Sequence, residues 1–462
     1  MDKFDLIIIG GGPAGYTGAI RASQLGMKVA LVEKRQTLGG TCLNEGCIPS
    51  KALLNYSEKF EESTTKFSDI GINVTPKLDL AKMLAKKDQV VSELCKGIDG
   101  LFTKNKITKF SGTAKFGGPE EIIIDELSTK IYGSKILIAT GSSVTSIPGV
   151  EVNGKNIISS KEALEIQNVP KDLIVIGGGY IGLELGSVWR RLGTKVTVVE
   201  YLDRIVPALD SDVGAALHKI LEKQGIGFLL NTKVKSAQEK DGFVNLMIES
   251  KDGLNQELKA EKILVSVGRK PCTEGLALEK VGIATDSKGK IPVNKKFQTI
   301  ITNIYAVGDV IDGPMLAHKA EEEAIAAVEN MAGQAGHVNY NIIPSVIYTS
   351  PEVASVGATE DELKAKNIEY KTGKIPFLAN SRAKAALHTE GFVKILADKK
   401  TDEILGAHII GHEAGTLIAE IAVAMEFKAA AEDIARTCHA HPTLNEALKE
   451  AALATDKRSI NF

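Results

Sequence analysis

Two thiols and a histidine–carboxylate pair are the side chains whose types and spacing carry chemistry. Cys42 and Cys47 stand with four residues between them, inside Gly39-Gly40-Thr41-Cys42-Leu43-Asn44-Glu45-Gly46-Cys47-Ile48-Pro49-Ser50-Lys51. Thiolate chemistry needs a lowered pKa, and the first turn of a helix supplies one through its dipole and free N–H groups. Pro49, followed by Ser50-Lys51-Ala52-Leu53-Leu54, reads as such a helix start, because proline is tolerated in the first turn. That places Cys47 beside the positive helix end and Cys42 in the preceding loop, close enough to bridge. The plain alternatives are a structural disulfide or a pair of core thiols. A structural bridge belongs to an oxidising compartment, and this chain is otherwise poor in cysteine, so a redox-active pair is expected.

The second constellation is Cys438-His439-Ala440-His441-Pro442-Thr443-Leu444-Asn445-Glu446. Two histidines two apart suit a metal, but no companion cysteine or carboxylate cluster completes a site, so no metal is expected. A histidine with a carboxylate five residues on, across a Pro-Thr turn into a helix, reads better as a base and its orienter. A thiol centre needs such a base, which assigns catalysis to Cys42, Cys47, His441 and Glu446.

The elements that must position these groups are nucleotide-binding units. Phe4-Asp5-Leu6-Ile7-Ile8-Ile9 is a buried run of the parallel-strand kind, feeding the G-x-G-x-x-G turn Gly10-Gly11-Gly12-Pro13-Ala14-Gly15. A helical stretch from Tyr16 and a second strand, Val29-Ala30-Leu31-Val32, end at Glu33. Such glycines allow a tight turn and close approach of a pyrophosphate to the helix N-terminus, and Glu33 can accept from a ribose hydroxyl. The construction recurs. Leu173-Ile174-Val175-Ile176 leads into Gly177-Gly178-Gly179-Tyr180-Ile181-Gly182, a helix through Trp189, and Val196-Thr197-Val198-Val199-Glu200. In each copy the acid follows the first glycine by 23 positions (10 to 33, 177 to 200). Two copies at equal internal spacing imply two dinucleotides on one chain. An acid at the strand end hydrogen-bonds an unphosphorylated ribose, so Glu200 favours NAD over NADP; Arg204 nearby is the one countervailing charge.

Lys135-Ile136-Leu137-Ile138-Ala139-Thr140-Gly141-Ser142 reads as a buried strand ending in a turn, and Pro148-Gly149 marks a linker. A similar strand, from Lys262 through Gly268-Arg269, closes the second unit. Ile304-Tyr305-Ala306-Val307-Gly308-Asp309 is another, and an acid there sits at the carboxyl end of a parallel sheet, where ligands bind; a turn cap is the alternative for Asp309. Near residue 341 the texture changes to alternating strands and an apolar helix from Ala414 to Phe427, suggesting a compact α+β domain.

Composition excludes several classes. The 462 residues exceed one ordinary core, so several domains are expected. With 56 basic and 58 acidic residues the net charge is −2, and no block of like charge suggests nucleic acid or an anionic membrane as main partner. No apolar run approaches the ~18 residues of a membrane helix. Neither a signal nor a transit peptide stands before the first strand, so a cytoplasmic protein is expected, a processed organellar matrix protein being the alternative.

These residues resemble the pyridine nucleotide–disulfide oxidoreductases along the whole chain. The carriers are residues 39–51, Ala139-Thr140-Gly141-Ser142, residues 177–184, Tyr305-Ala306-Val307-Gly308-Asp309, Pro314-Met315-Leu316-Ala317-His318-Lys319 and His439-Ala440-His441-Pro442-Thr443-Leu444. The resemblance implies an α/β fold: two Rossmann-like dinucleotide-binding domains plus a C-terminal α+β dimerisation domain. It places FAD in residues 1–147, NAD in 148–272, a central domain completing the FAD site in 273–340, and dimerisation in 341–462. FAD would be held by Gly10, Gly12, Gly15, Glu33, Lys51, Gly112, Thr140, Gly141, Ser142, Asp309, Met315, Leu316, Ala317 and His318. NAD would be held by Gly177, Gly179, Tyr180, Gly182, Glu184, Glu200, Gly268 and Arg269. Lys51 would pair with Glu184 near the flavin, and Tyr180 stands where relatives gate the nicotinamide pocket.

The implied enzyme is a homodimer in which His441 and Glu446 of one chain serve the disulfide of the other. Its implied activity is reoxidation of dihydrolipoyl groups carried by lipoyl domains of 2-oxoacid dehydrogenase complexes or by the glycine cleavage H-protein. Glutathione or mercuric reduction is the rival within the family; the first would want basic residues near position 200, the second a C-terminal cysteine pair. A flavoprotein component with idle chemistry is the rival outside it. Two departures stand out: Glu45, where many relatives carry an apolar residue, expected to alter redox poise, and Asn445, where serine is commoner, expected to cap the Glu446 helix.

Overall fold

The computed structural model describes residues 3–461, which divide into two compact units. The first takes the chain through Leu53, Asp79–Thr145 and Val267–Val338; the second takes Leu54–Leu78, Ser146–Ser266 and Asn339–Phe462.

In the first unit six strands lie in the order Thr108–Ser111, Val29–Glu33, Lys3–Ile9, Thr129–Ile138, Glu121–Ile124, Ala114–Gly118. The central strand Lys3–Ile9 runs parallel to both neighbours, with Ile7 opposite Ala30 on one side and Ile136 on the other. Leu6, Ile7 and Ile8 are fully buried, which is why this run is continuously apolar rather than alternating. Each such side chain contributes about 1.5–3 kcal/mol by leaving water. A seventh strand, Ile304–Ala306, joins the carboxyl half of Thr129–Ile138 in parallel, with Ile304 opposite Ile136. It arrives from far along the sequence and delivers the Gly308–Val310 turn to the same sheet end as the first glycine turn. The helices Pro13–Gln24 and Ala317–Met331 pack on each other, and Leu80–Lys104 starts where Asp79 accepts from the Lys82 N–H at 3.0 Å. A short antiparallel pair, Ser142–Val144 with Arg269–Pro271, ties the end of the sheet to the returning chain.

The second unit repeats the parallel plan in five strands, Gly227–Leu229, Lys195–Val199, Asp172–Ile176, Lys262–Val265 and Ile157–Ile158. A three-stranded antiparallel sheet, Thr232–Lys240, Phe243–Ser250 and Asn255–Ala260, is inserted before its last strand in sequence, Lys262–Val265. Beyond residue 344 comes an antiparallel five-stranded sheet, in the order Ser345–Ile347, Glu352–Gly357, Ile404–Gly411, Phe392–Asp398, Tyr370–Pro376. Its helices include Ala414–Glu426, which stops one residue short of the expected end at Phe427, then Ala431–Arg436 and Glu446–Ala454. Among the described residues no helix is long and apolar enough to cross a membrane.

Candidate active site

The thiol pair is built by two consecutive helices rather than by a loop and a helix. Cys42 lies in the six-residue helix Gly40–Glu45, correcting the expectation of a loop, and Cys47 opens the Cys47–Thr65 helix. Gly46 separates them, and a Cβ there would come within 2.9 Å of the Thr41 carbonyl, so the tight junction needs glycine. Pro49 falls in the first turn, as its missing N–H requires. Both cysteines are free thiols, and Cys42 hydrogen-bonds to Cys47. That bond, then burial, pushes the Cys42 thiol far up, opposed by the Lys51 charge. With its thiol pushed up in this way, Cys42 is held as the protonated thiol, beside Cys47 at the helix N-terminus. Glu321, whose carboxylate accepts from the Tyr16 hydroxyl at 2.9 Å, adds a charge that raises the Cys42 thiol further.

Glu45, between the two thiols in the sequence, is gripped by Arg35 at both its oxygens, at 2.8 and 2.7 Å. Asn44 hydrogen-bonds Thr37 and the carbonyls of Leu38 and Gly40. The helix bearing Cys42 is thus tied to the loop after Glu33.

The first glycine turn has the geometry of a phosphate cradle. A Cβ at Gly15 would lie 1.8 Å from the Gly10 carbonyl oxygen, whereas at Gly12 it would meet only Gly40 Cα, at 3.7 Å. Pro13 opens the helix, and no side chain caps it. The Glu33 carboxylate accepts from the Gly11 N–H at 2.6 Å and the Arg35 N–H at 2.8 Å, and retains lone pairs for a ribose hydroxyl. The Gly112 N–H donates to the Glu33 carbonyl at 2.9 Å, and its missing Cβ leaves room for Ile124 and Glu126.

The second turn is a near copy. Gly182 would place a Cβ 2.5 Å from the Gly177 carbonyl, and Gly179 faces open space. The Tyr180–Arg191 helix has no side-chain cap, and Glu200 accepts from the Gly178 N–H at 2.6 Å and the Leu202 N–H at 2.8 Å. Tyr180 is exposed, Glu184 is buried and accepts from the Tyr348 N–H at 2.9 Å. Arg204 is a half-exposed charge, 3.9 Å from Asp361 and donating to the Pro207 carbonyl at 3.4 Å.

Three residues scattered in sequence form one relay in the first unit. Arg269 donates from Nε to the Ser142 hydroxyl at 2.7 Å and from a terminal nitrogen to the Ser142 carbonyl at 2.6 Å. Ser142 in turn donates to Asp309 at 2.5 Å. Asp309 is therefore held by a side chain rather than serving as a turn cap: the Gly308–Val310 turn has no side-chain cap. Arg269, expected on the nicotinamide side, is grouped with residues expected at the flavin. Thr140 donates to the Cys272 carbonyl at 2.6 Å, and Gly141 accepts from the Cys272 N–H at 2.9 Å. Gly268 accepts from the Thr145 N–H at 3.0 Å. Met315 and Leu316 lead directly into Ala317 and His318, the start of the Ala317–Met331 helix.

In the second unit His441 Nδ1 lies 2.9 Å from Glu446 Oε1, and Glu446 Oε2 accepts from the Thr443 N–H at 2.9 Å. Although burial alone would raise it, those bonds hold Glu446 below the usual carboxylate range, so it stays ionised. With Nδ1–H donated to Glu446, Nε2 is the atom able to take a proton. His441 is exposed. Asn445 does not cap the helix; its amide donates to Glu420 at 2.7 Å, and the same carboxylate meets His439 at 2.8 Å. Glu420 and Arg35 carried no signal in the sequence, because their partners lie 19 or more and 10 residues away in ordinary polar text. Among the described residues no cluster of three or more His, Cys, Asp or Glu side chains is placed to hold a metal ion.

Comparison with known proteins agrees with this arrangement. Residues 4–324 match the family model "Pyridine nucleotide-disulphide oxidoreductase", and residues 343–452 match its dimerisation domain. The chain is 52% identical to the mitochondrial dihydrolipoyl dehydrogenase of Pisum sativum, over 100% of this chain and 93% of that one. It is 51% identical to dihydrolipoyl dehydrogenase 3 of Pseudomonas putida, over 99% of each. Among solved structures, the HOCl-induced flavoprotein disulfide reductase RclA of Escherichia coli superposes with a TM-score of 0.86 at 26% identity, covering 97% of this chain and 99% of that one. The chain belongs to the pyridine nucleotide-disulphide oxidoreductases, the family that joins a nucleotide-binding fold to a dithiol centre.

Proposed function

We propose that the chain is an FAD-dependent dihydrolipoamide dehydrogenase, oxidising dihydrolipoyl dithiols at Cys42 and Cys47 with reduction of NAD+ to NADH. The observation that carries the reading is the placement of the two thiols on either side of the Gly46 junction, Cys42 in one short helix and Cys47 opening the next, which suits a disulfide that closes and reopens in thiol–disulfide exchange. The cradle of Gly10, Gly12 and Gly15 with Glu33 fits FAD, supported by Lys51, Gly112, Thr140, Gly141, Ser142, Asp309 and residues 315–318. The cradle of Gly177, Gly179 and Gly182 with Glu200 fits NAD, with Tyr180 and Glu184 as its further expected contacts. Bound FAD supplies the two-electron carrier between the dithiol and the nicotinamide.

In this mechanism Nε2 of His441 takes a proton from one substrate thiol while Glu446 holds the imidazole by its Nδ1–H. The resulting thiolate attacks Cys42 of the disulfide form. The Cys42–Cys47 bond breaks, and its electron pair leaves on Cys47 as thiolate. The second substrate thiol displaces Cys42 and closes the lipoyl disulfide; the proton held on His441 passes to the departing Cys42 sulfur, and the proton of that second thiol takes its place on Nε2. Two electrons and the Cys42 proton are then stored in the hydrogen-bonded pair. The chain works as a homodimer through its C-terminal domain, and in this proposal His441 and Glu446 serve the partner subunit's Cys42. The dithiol carriers are lipoyl domains of 2-oxoacid dehydrogenase complexes or the glycine cleavage H-protein.

The test is the initial rate with dihydrolipoamide, comparing NAD+ and NADP+ at matched concentrations, with glutathione disulfide plus NADH or NADPH as control. Turnover with dihydrolipoamide and NAD+ alone is expected. Inert dihydrolipoamide with reduction of glutathione disulfide would overturn the substrate assignment.

A further inference from the structure

Lys319 and Glu323 form an ion pair at 3.0 Å, one helical turn apart in the Ala317–Met331 helix, with both side chains fully buried. A buried pair of this kind is weak stabilisation, since two apolar residues of the same volume often do as well. What distinguishes this pair is where its remaining valences go. Glu323 accepts the Gly308 N–H at 2.7 Å, and Lys319 donates to the Gly308 carbonyl at 3.1 Å. Both polar groups of one residue are thus taken by one ion pair. Gly308 has φ +77°, and a Cβ there would press on Ala320 at 3.2 Å, so the turn is held in a conformation that side chains resist. The next residue is Asp309, whose carboxylate is fixed from the other direction by Ser142 and Arg269.

We infer that Lys319 and Glu323 are positioning residues of the flavin site: they clamp the Gly308 peptide groups and so aim the Asp309 carboxylate at the cofactor. The inference rests on the reading that Asp309 belongs to the flavin site. Neither side chain touches substrate; each acts through the Gly308 backbone. Loss of the clamp frees the turn to rotate about Gly308, and hydrogen-bond geometry at Asp309 degrades even where the helix itself stays intact.

The experiment is FAD titration of the apoprotein by flavin fluorescence for the full-length chain and three variants, with unfolding of each apoprotein followed by circular dichroism. In Lys319→Met/Glu323→Leu the burial is preserved and the clamp removed. We expect its FAD dissociation constant to rise at least tenfold, with the far-ultraviolet spectrum unchanged. Glu323→Gln keeps an oxygen for the Gly308 N–H, and its dissociation constant should fall between wild type and the double variant. A purely structural role predicts instead that affinity tracks apoprotein stability across the set. Wild-type affinity in a folded double variant overturns the inference. Should the double variant not fold, amide exchange across 304–316 of the Glu323→Gln holoprotein decides: faster exchange supports the clamp, wild-type exchange overturns it. Asp309→Asn separates the two failures. If it weakens FAD while the clamp variants do not, the inference alone falls; if it leaves FAD binding unchanged, the flavin reading of Asp309 falls and takes the inference with it.

Discussion

The two glycine turns of this chain are the same solution built into different surroundings. In both, the third glycine of the G-x-G-x-x-G turn lets the helix approach the first glycine's carbonyl, and an acid 23 positions after the first glycine accepts the N–H of the residue that follows that first glycine. The first copy is the tighter one. Its Gly15 leaves 1.8 Å to the Gly10 oxygen against 2.5 Å in the second copy, and Glu33 is buried where Glu200 is half-buried. The first is also approached by a chain segment from far away, the turn carrying Asp309, pinned through Ser142 by Arg269. The difference matches what the two ligands of the proposed reaction do: FAD stays and NAD comes and goes. An enclosed cradle suits a resident cofactor, an open one a substrate.

The largest expected break of this comparison is at the third glycines. Gly15→Ala forces the helix off its turn, and FAD retention in the purified protein should fall by about 100-fold or more, since ångström-scale misplacement costs that much. Gly182→Ala, with slightly more room, should leave flavin content normal and raise the KM for NAD+ about tenfold, near 1.4 kcal/mol. Equal effects of the two on flavin content would break the asymmetry.

The units also differ in how each buries a lysine. Lys319 meets one carboxylate, whereas Lys394, on the strand Phe392–Asp398, meets Asp210 at 3.0 Å, Asp212 at 3.2 Å and Glu360 at 2.5 Å. Lys394→Met strands buried Asp210 and should cost about 3–5 kcal/mol of stability. Burial alone would raise Glu360, but hydrogen bonds from Lys394, Tyr370 and Lys364 hold it at about 2, from an ordinary 4.5. Because the folded value is the lower one, its stabilisation is full above pH 4.5 and lost as pH falls toward 2. Acid melts of the Glu360→Gln variant should therefore show a flatter pH dependence in that window than wild type, with flavin release as a second readout.

The acids give the next smaller effect. Glu33→Gln turns an amide toward one of two buried N–H donors and should cost about 1–3 kcal/mol of stability, read as a lower melting temperature. Glu200→Gln, half-buried, should leave melting unchanged and raise the KM for NAD+ about fivefold, near 1 kcal/mol. The smallest effect sharpens the picture: at Gly12 and Gly179 a methyl group meets almost nothing in the protein. Alanine at either should leave apoprotein stability within about 0.5 kcal/mol, so any loss of FAD or NAD affinity by titration reports the ligand itself.

The sequence by itself determined the local machinery. The strand–turn–helix–strand–acid order, Pro13 and Pro49 at helix starts, and the glycines all act through contacts closed within about two dozen residues, where sterics leave few choices. The pairing of His441 with Glu446 was legible for the same reason, being five residues apart in the chain. What lay beyond was decided by tertiary packing. Cys42 is helical because Gly46 allows a second helix to begin at once, a junction that spacing alone does not report. Arg269 is drawn to Ser142 and Asp309 because a strand from position 304 and a short antiparallel pair converge at one sheet end. Asn445, read as a helix cap, bonds to Glu420 instead, and Arg35, the partner of Glu45, is named by no motif. Buried charges such as Lys319 and Lys394 look like surface residues in the sequence. Only the fold supplies the carboxylates and backbone groups that repay their desolvation.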